Sequence, residues 1–143
     1  PEVGHMLLPL SDKDPNGSVC PFHPNCFEGL CSGTSIEARW GAKAKDMADR
    51  DEVWELETDY IAEALTSIIM ILSPQKIILG GGVMHQQQVF PLVRKKVLKL
   101  VNGYIQTKEL ADIDNYIVPA SLHDDQGIMG ALRLGELAYE SGK

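Results

Sequence analysis

Lys76-Ile77-Ile78-Leu79-Gly80-Gly81-Gly82-Val83 is the stretch that decides the fold class. Lys76 to Leu79 is a short apolar run closed by Pro74 on one side and three glycines on the other. Runs of that length and composition read as buried strands of the parallel kind. The glycines then lead into a helical pattern from Val83, so the unit is strand, tight turn, helix. Successive glycines allow close backbone approach to a ligand, and a helix N-terminus behind them favours an anionic or polar group. The pattern is neither a P-loop nor GxGxxG. The alternative is a tight turn with no ligand at all.

Upstream of this unit, Val53, Leu56, Tyr60, Ile61, Ala64, Leu65, Ile68, Ile69 and Leu72 recur at helical spacing. They predict a helix from Asp51 or Glu52 to Leu72, stopped by Ser73-Pro74. Glu55, Glu57, Asp59 and Glu63 are assigned to its wet side. Its last turns, Ile68 to Leu72, are apolar all round and are expected to be buried. Before it, Thr34 or Ser35 is a candidate N-cap for a helix running to about Ala48. Downstream, Val89, Leu92, Val93, Val97, Leu98 and Val101 mark the inner face of a helix that Asn102-Gly103 ends. Tyr116 to Pro119 reads as a second strand, and Gly127 to about Ser141 as a last helix. The order is loop, helix, helix, strand, helix, strand, helix, which fits part of an α/β layered domain. Two strands are too few for a self-sufficient parallel sheet, so further strands are expected upstream of Pro1.

With 143 residues the chain has the length of one domain. Its apolar share of 44% and charged share of 23% are those of an ordinary globular protein. A formal net charge of −7 argues against nucleic acid as partner. No apolar run approaches the ~18 residues of a membrane helix, and no signal peptide is seen. Three cysteines, two of them in metal-ligand spacing, disfavour a disulfide framework and favour a reducing, cytoplasmic setting.

Residues 1 to 33 read as loop, because Pro9, Pro15, Pro21 and Pro24 with Asp14, Asn16 and Gly17 forbid regular structure over most of it. A loop this long is functional or disordered. Cys20-Pro21-Phe22-His23-Pro24-Asn25-Cys26 points to the first, since Cys-x2-His-x2-Cys lets one short loop supply three ligands of a tetrahedral zinc ion. His5 is the natural fourth; the alternative is two loop cysteines and some surface histidines. Cys31 is read as a small buried hydrophobe instead. Glu2 and Glu28 flank the clip. Carboxylates there could grip a vicinal diol, or act as an acid/base pair, or be solvated loop residues; residue type alone favours the last. Asp124-Asp125-Gln126-Gly127 could bind a metal or cap a helix, and the cap is favoured. His85 and His123 are read as ordinary polar residues.

These residues resemble a known family. Glu2-Val3-Gly4-His5 looks like the ExGH motif of the ROK family (repressors, open reading frames and sugar kinases). Cys20 to Gly33 is similar to the zinc loop of its bacterial fructokinase branch. Trp54-Glu55-Leu56-Glu57, Leu72-Ser73-Pro74, Ile77 to Met84 and Leu100 to Tyr104 continue that pattern. The resemblance runs almost end to end. It implies an actin-like ATPase (ribonuclease H-like) fold of two α/β domains. This chain would be the C-terminal domain, incomplete: residues 1–33 a sugar-facing zinc loop, residues 34–143 the remainder. It implies ATP-dependent phosphorylation of the 6-hydroxyl of D-fructose or a related hexose, with Mg2+. It implies His5, Cys20, His23 and Cys26 as ligands of structural Zn2+. Glu2, Glu28 and also His5 would stand at the sugar, and Gly80, Gly81 and Gly82 beside the adenosine of ATP. A homodimer is implied as well.

The departures matter as much. The family's N-terminal phosphate loop, its Asn-Asp pair with the general-base Asp, and its second glycine-rich loop are not in this chain. Nothing here is therefore assigned as catalytic, and the chain reads as a C-terminal fragment, inactive without an N-terminal half. Two other classes compete: the sugar-sensing half of a ROK transcriptional repressor, and a free-standing zinc-braced interaction module. The CxxHxxC form favours the kinase over the repressor.

Overall fold

A computed structural model describes residues 2–122 and 124–142, so His123 lies outside the described residues. Its elements are α1 (Phe27–Cys31), α2 (Gly33–Trp40), α3 (Asp51–Leu72), β1 (Ile77–Leu79), α4 (Val89–Val101), α5 (Lys108–Ala111), α6 (Ile113–Tyr116), β2 (Ile117–Pro119) and α7 (Gln126–Glu140). The two strands pair in parallel, with Ile77, Ile78 and Leu79 opposite Ile117, Val118 and Pro119. The parallel pairing is the one the glycine-bounded apolar run predicts, but the run is not buried throughout, since Ile78 is exposed.

The centre of the chain is α3 packed on α4. Val89, Val93, Val97 and Val101 recur every fourth residue, and all are buried against Trp54, Ile61, Leu65 and Ile69. Ile36, Met47, Ile77, Tyr116 and Ile117 complete this core. On the wet side Lys96 ties the helices together, bonding Glu55 (3.2 Å) and Asp59 (2.7 Å). A second, smaller core of Leu8, Leu30, Leu56, Tyr60 and Ala64 lies under the N-terminal loop. Phe27, Cys31 and Trp40 pack on both cores and join them.

Several helix limits differ from those expected. α2 is capped by Ser32, whose side chain accepts from the Ser35 N–H, so neither Thr34 nor Ser35 is the cap. α2 ends at Trp40 because Gly41 takes a left-handed conformation (φ 74°); a 3-10 turn over Ala44–Asp46 follows where helix was expected. Residues 1–33 are not loop throughout, since Phe27–Cys31 forms α1. After the glycines, Gly82–His85 is a 3-10 turn, and α4 begins only at Val89. α5 and α6 have no counterpart in the expected order. α3 ends as expected, with Ser73 left-handed (φ 44°) before Pro74, and α4 ends on left-handed Asn102 (φ 50°).

Two expectations about α3 fail. Glu57 is wholly buried, not on the wet side. It falls at i+4 from Val53 and i−4 from Ile61, inside the apolar stripe. Conversely, Ile71 is 76% exposed and Leu72 68%, because among the described residues no element covers the last turn of α3. None of the residues of α7 is buried either. No described helix is long and apolar enough to cross a membrane.

Candidate metal and ligand site

Local bonds shape the N-terminal loop before any ligand is considered. Glu2 precedes a 3-10 turn, Val3–His5, closed by the His5 N–H on the Glu2 carbonyl (3.0 Å). Leu7 and Cys26 then form an antiparallel bridge. Leu8 N–H donates to Asn25 O (2.9 Å) and Phe27 N–H to Met6 O (2.9 Å). The bridge lays His5 alongside the Cys20–Cys26 segment. Val19 N–H donates to Gly29 O (2.9 Å), which folds the other strand of the segment onto α1.

The outcome is a converged set of ligands. The donor atoms of His5, Cys20, His23 and Cys26 all lie within 4.8 Å of one another. Cys20 Sγ is 4.0 Å from His5 Nδ1 and 3.7 Å from His23 Nδ1. With Zn–S near 2.3 Å and Zn–N near 2.0–2.1 Å, tetrahedral ligands stand roughly 3.3–3.8 Å apart. The donor set, two thiols and two imidazoles, is also the one zinc takes in closed structural sites. The residues therefore fit the ion. A backbone N–H bond from Phe22, joined by one from His23 and outweighing the opposing effect of burial, holds the Cys20 thiol below its ordinary pKa, the direction a metal thiolate needs. Among the described residues this is the one such cluster of His, Cys, Asp and Glu, and Asp124-Asp125 is not in it.

Glu28 sits in the first turn of α1 and faces the 3-10 turn. A Cβ on Gly4 would stand 3.0 Å from Glu28 Oε2, so the ExGH glycine gives the carboxylate its room. Glu2 is exposed, two residues before. Gly4, Phe27, Glu28, Cys31 and Ser32 line one side of a cleft of about 440 Å³, and the run Ile78 to Met84 lines the other. The glycine turn and the metal-side carboxylate thus share one open cavity. Cys31 lies in its wall, its thiol pKa pushed well up by burial, and takes no part in the metal cluster.

Gly80 and Gly81 have separate reasons to be glycine, and Gly82 has none that the backbone or its neighbours impose. Gly81 adopts φ 97°, which side chains rarely take. A Cβ on Gly80 would lie 3.2 Å from the Ala120 Cβ at the end of β2. At Gly82 nothing lies within 4 Å, so the fold itself leaves space there. Beyond the turn, a second hollow of about 310 Å³ opens at the C-terminal ends of both strands, between Gly80, Gly81, Met84, Ala120, Ser121 and Gln126. Such ends are where open α/β sheets bind ligands. His85 is not isolated: its Nε2 stands 2.9 Å from Asp124 Oδ1 at the rim. Asp125 is at the N-cap position of α7 without a side-chain capping bond.

Sequence reasoning passes over two features. Gly29 is needed because a Cβ there would fall 1.9 Å from Ser18 Oγ and 2.7 Å from Cys20 Cβ. Arg39, Asp14 and Glu57 form a buried ionic cluster under the loop. A signal for it exists: Ile36, Arg39 and Trp40 share one face of α2, which puts a charge in an apolar stripe.

The chain is similar to several known proteins. The model of the ROK family matches residues 1–136. A putative fructokinase of Bacillus subtilis is 50% identical over 142 residues, which span 99% of this chain and 48% of that protein. A fructokinase of Pediococcus pentosaceus is 43% identical over 98% of this chain and 48% of its own length. The crystal structure of a ROK hexokinase from Thermus thermophilus superposes with a TM-score of 0.69 at 20% identity, covering 91% of this chain and 45% of that one. The chain spans about half the length of the curated relatives it matches.

Proposed function

This chain belongs to the ROK family, and from that premise we propose that the protein carrying it phosphorylates D-fructose on its 6-hydroxyl at the expense of ATP. The observation that carries the reading is one cleft with the metal-side carboxylate Glu28 on one wall and the glycine turn on the other. Names of relatives at 50% and 43% identity supply the sugar.

In this reading Glu2, Glu28 and His5 hold the hexose. A carboxylate accepts hydrogen bonds from two adjacent hydroxyls, which fixes the ring's orientation as well as its place. Gly80, Gly81 and Gly82 let the nucleotide's adenosine approach the backbone, in the hollow at the strand ends. His5, Cys20, His23 and Cys26 would hold a zinc ion that braces the loop, and as four protein ligands they would leave it no open position for substrate. Mg2+ accompanies the triphosphate of ATP. What this chain contributes to rate is positioning: phosphoryl transfer depends on in-line alignment and charge stabilisation more than on covalent chemistry by the protein. The general-base Asp belongs to a part of the protein outside residues 1–143, so this chain holds the sugar without taking its proton.

The test is a coupled kinase assay on the intact protein and on residues 1–143 alone. Fructose-dependent ADP formation is expected from the first and none from the second. In the intact protein Glu28→Gln is expected to raise the fructose KM by about tenfold or more, the loss of a charge-assisted bond. Turnover by residues 1–143 alone, or a Glu28→Gln variant with unchanged KM, would overturn these assignments.

A further inference from the structure

Away from the Cys/His group, a set of buried polar side chains surrounds Arg39. Its side chain is fully buried, as are its two ionic partners. It pairs with Asp14 of the loop (2.9 Å) and with Glu57 of α3. It also donates to the Leu30 carbonyl of α1 (3.1 Å), the Gly17 carbonyl (3.4 Å) and Ser35 Oγ (3.2 Å). Asp14 in turn accepts from the N–H groups of Asn16 (3.0 Å) and Gly17 (2.9 Å) and from the Tyr60 hydroxyl (2.9 Å). That hydroxyl accepts from the Ser11 N–H (3.1 Å).

The placement of these bonds along the chain is the informative part. Gly17 comes just before the segment 18–29, and Leu30 just after it. That segment contains Cys20, His23, Cys26 and Glu28. One guanidinium therefore binds the backbone on both sides of the stretch that carries three metal ligands and the cleft carboxylate. Desolvating an ionic cluster makes it a poor device for stability alone, and apolar side chains of similar volume would often serve as well. What apolar packing lacks is direction. A guanidinium offers five N–H donors in a rigid plane, so it fixes where its acceptors stand.

We propose that Arg39 is a positioning residue that closes the base of the segment 18–29 and keeps its two ends together with or without the ion, so that the metal ligands start from a loop already closed at its base. Metal and Arg39 are then separate fasteners at opposite ends of one segment. The inference rests on reading His5, Cys20, His23 and Cys26 as a metal site. It alters what metal removal should do: the tip around Cys20–Cys26 loosens while the base over residues 11–17 stays docked on α3.

The experiment uses the intact protein. Arg39→Met strands two buried carboxylates and is expected to unfold the region, so the milder Asp14→Asn and Tyr60→Phe variants carry the test. Two quantities are read: the zinc dissociation constant by competition with a chromogenic chelator, and hydrogen exchange at the amides of residues 11–17 after EDTA has stripped the metal. Wild type is expected to keep slow exchange at Ser11 and Gly17 when stripped. Both variants are expected to lose it and to bind zinc about 10–100-fold more weakly, the usual effect of removing a group that orients ligands. Zinc affinity unchanged in both variants overturns the inference, whatever their melting temperatures. So does loss of protection at residues 11–17 on stripping the wild type. Wild type that takes up no zinc overturns instead the metal reading on which the inference stands.

Discussion

At the scale of single residues, the buried cluster holds one cation against two carboxylates, and the two are not equivalent. Burial works against ionisation of Asp14, but the bonds from Arg39, the Asn16 and Gly17 N–H groups and Tyr60 outweigh it, and its pKa stays below the ordinary value. Glu57 is more deeply buried. Burial pushes its pKa up to about 7 against the pull of Arg39, and its Oε2 has no hydrogen-bond partner among the described residues. A carboxyl whose folded pKa is raised favours folding in its protonated form. Its contribution is fully present below the unfolded value near 4.5 and is lost as the pH climbs through about 7. Glu57→Gln, a neutral isostere, is expected to remove this loss, making the variant more stable than wild type at pH 8 by at most a few kcal/mol. Melting temperature against pH from 4 to 8 checks it; parallel curves for the two proteins would show that Glu57 stays ionised throughout. The role of Glu57 was not legible from residue type, which assigns glutamate to the wet face. Its position in the repeat Val53, Glu57, Ile61 was legible, and position prevailed.

At the scale of elements, legibility followed length and period. α3 and α4 are long enough to show apolar recurrence, and their stops, Ser73-Pro74 and Asn102-Gly103, are written in residue type. β1 stands out because glycine and proline bracket it. α1, α5 and α6 have five, four and four residues, too short for a period, and are fixed by tertiary contact. α1 illustrates this best. It contains Gly29, a poor helix former, because the segment carrying Cys20 presses on it. Gly29→Ala would raise intrinsic helix propensity by about 1 kcal/mol in isolation. Here the added methyl would overlap Ser18 Oγ and crowd Cys20, both its Cβ and its backbone N. The expected outcome is a net destabilisation of about 1–3 kcal/mol together with weakened zinc binding, because Cys20 must move. Urea denaturation and a zinc titration check the two parts, and a variant as stable as wild type would show that the segment shifts freely. Of the candidate site, the ligand spacing and the glycine turn could be read in sequence. Their meeting across one cleft could not, because α1 and the 3-10 turn that bring them together have no pattern of their own.

At the scale of the whole molecule, one side of the chain is finished and the other is not. The α3–α4 interface and the loop base are packed, ion-paired and hydrogen-bonded. On the other side Ile78, in the middle of β1, is 63% exposed, as are Ile71 and Leu72 at the end of α3 and Ile128, Leu132 and Leu134 along α7. Parallel sheets are ordinarily covered on both faces, and a sheet of two short strands is below the size that stands alone. Ile71 and Leu72, expected to be buried, instead add to a face that the described residues leave uncovered. The relatives at 50% and 43% identity are about twice as long. In the reading proposed above, a part of the intact protein outside residues 1–143 would cover this surface. Residues 1–143 produced alone are accordingly expected to bind the dye ANS strongly and to self-associate as concentration rises. Substituting Ile71 and Leu72 together by serine is expected to reduce both effects in the isolated chain. In the intact protein the same pair of changes should act the opposite way: each buried large-to-small change costs about 2–5 kcal/mol, so the melting temperature should fall. ANS fluorescence and sedimentation of the isolated chain, set beside the melting of the intact protein, decide it. If the double substitution left the intact protein's melting temperature unchanged, the end of α3 would be a true outer surface, and the covering element would have to lie over β1 and α7 alone.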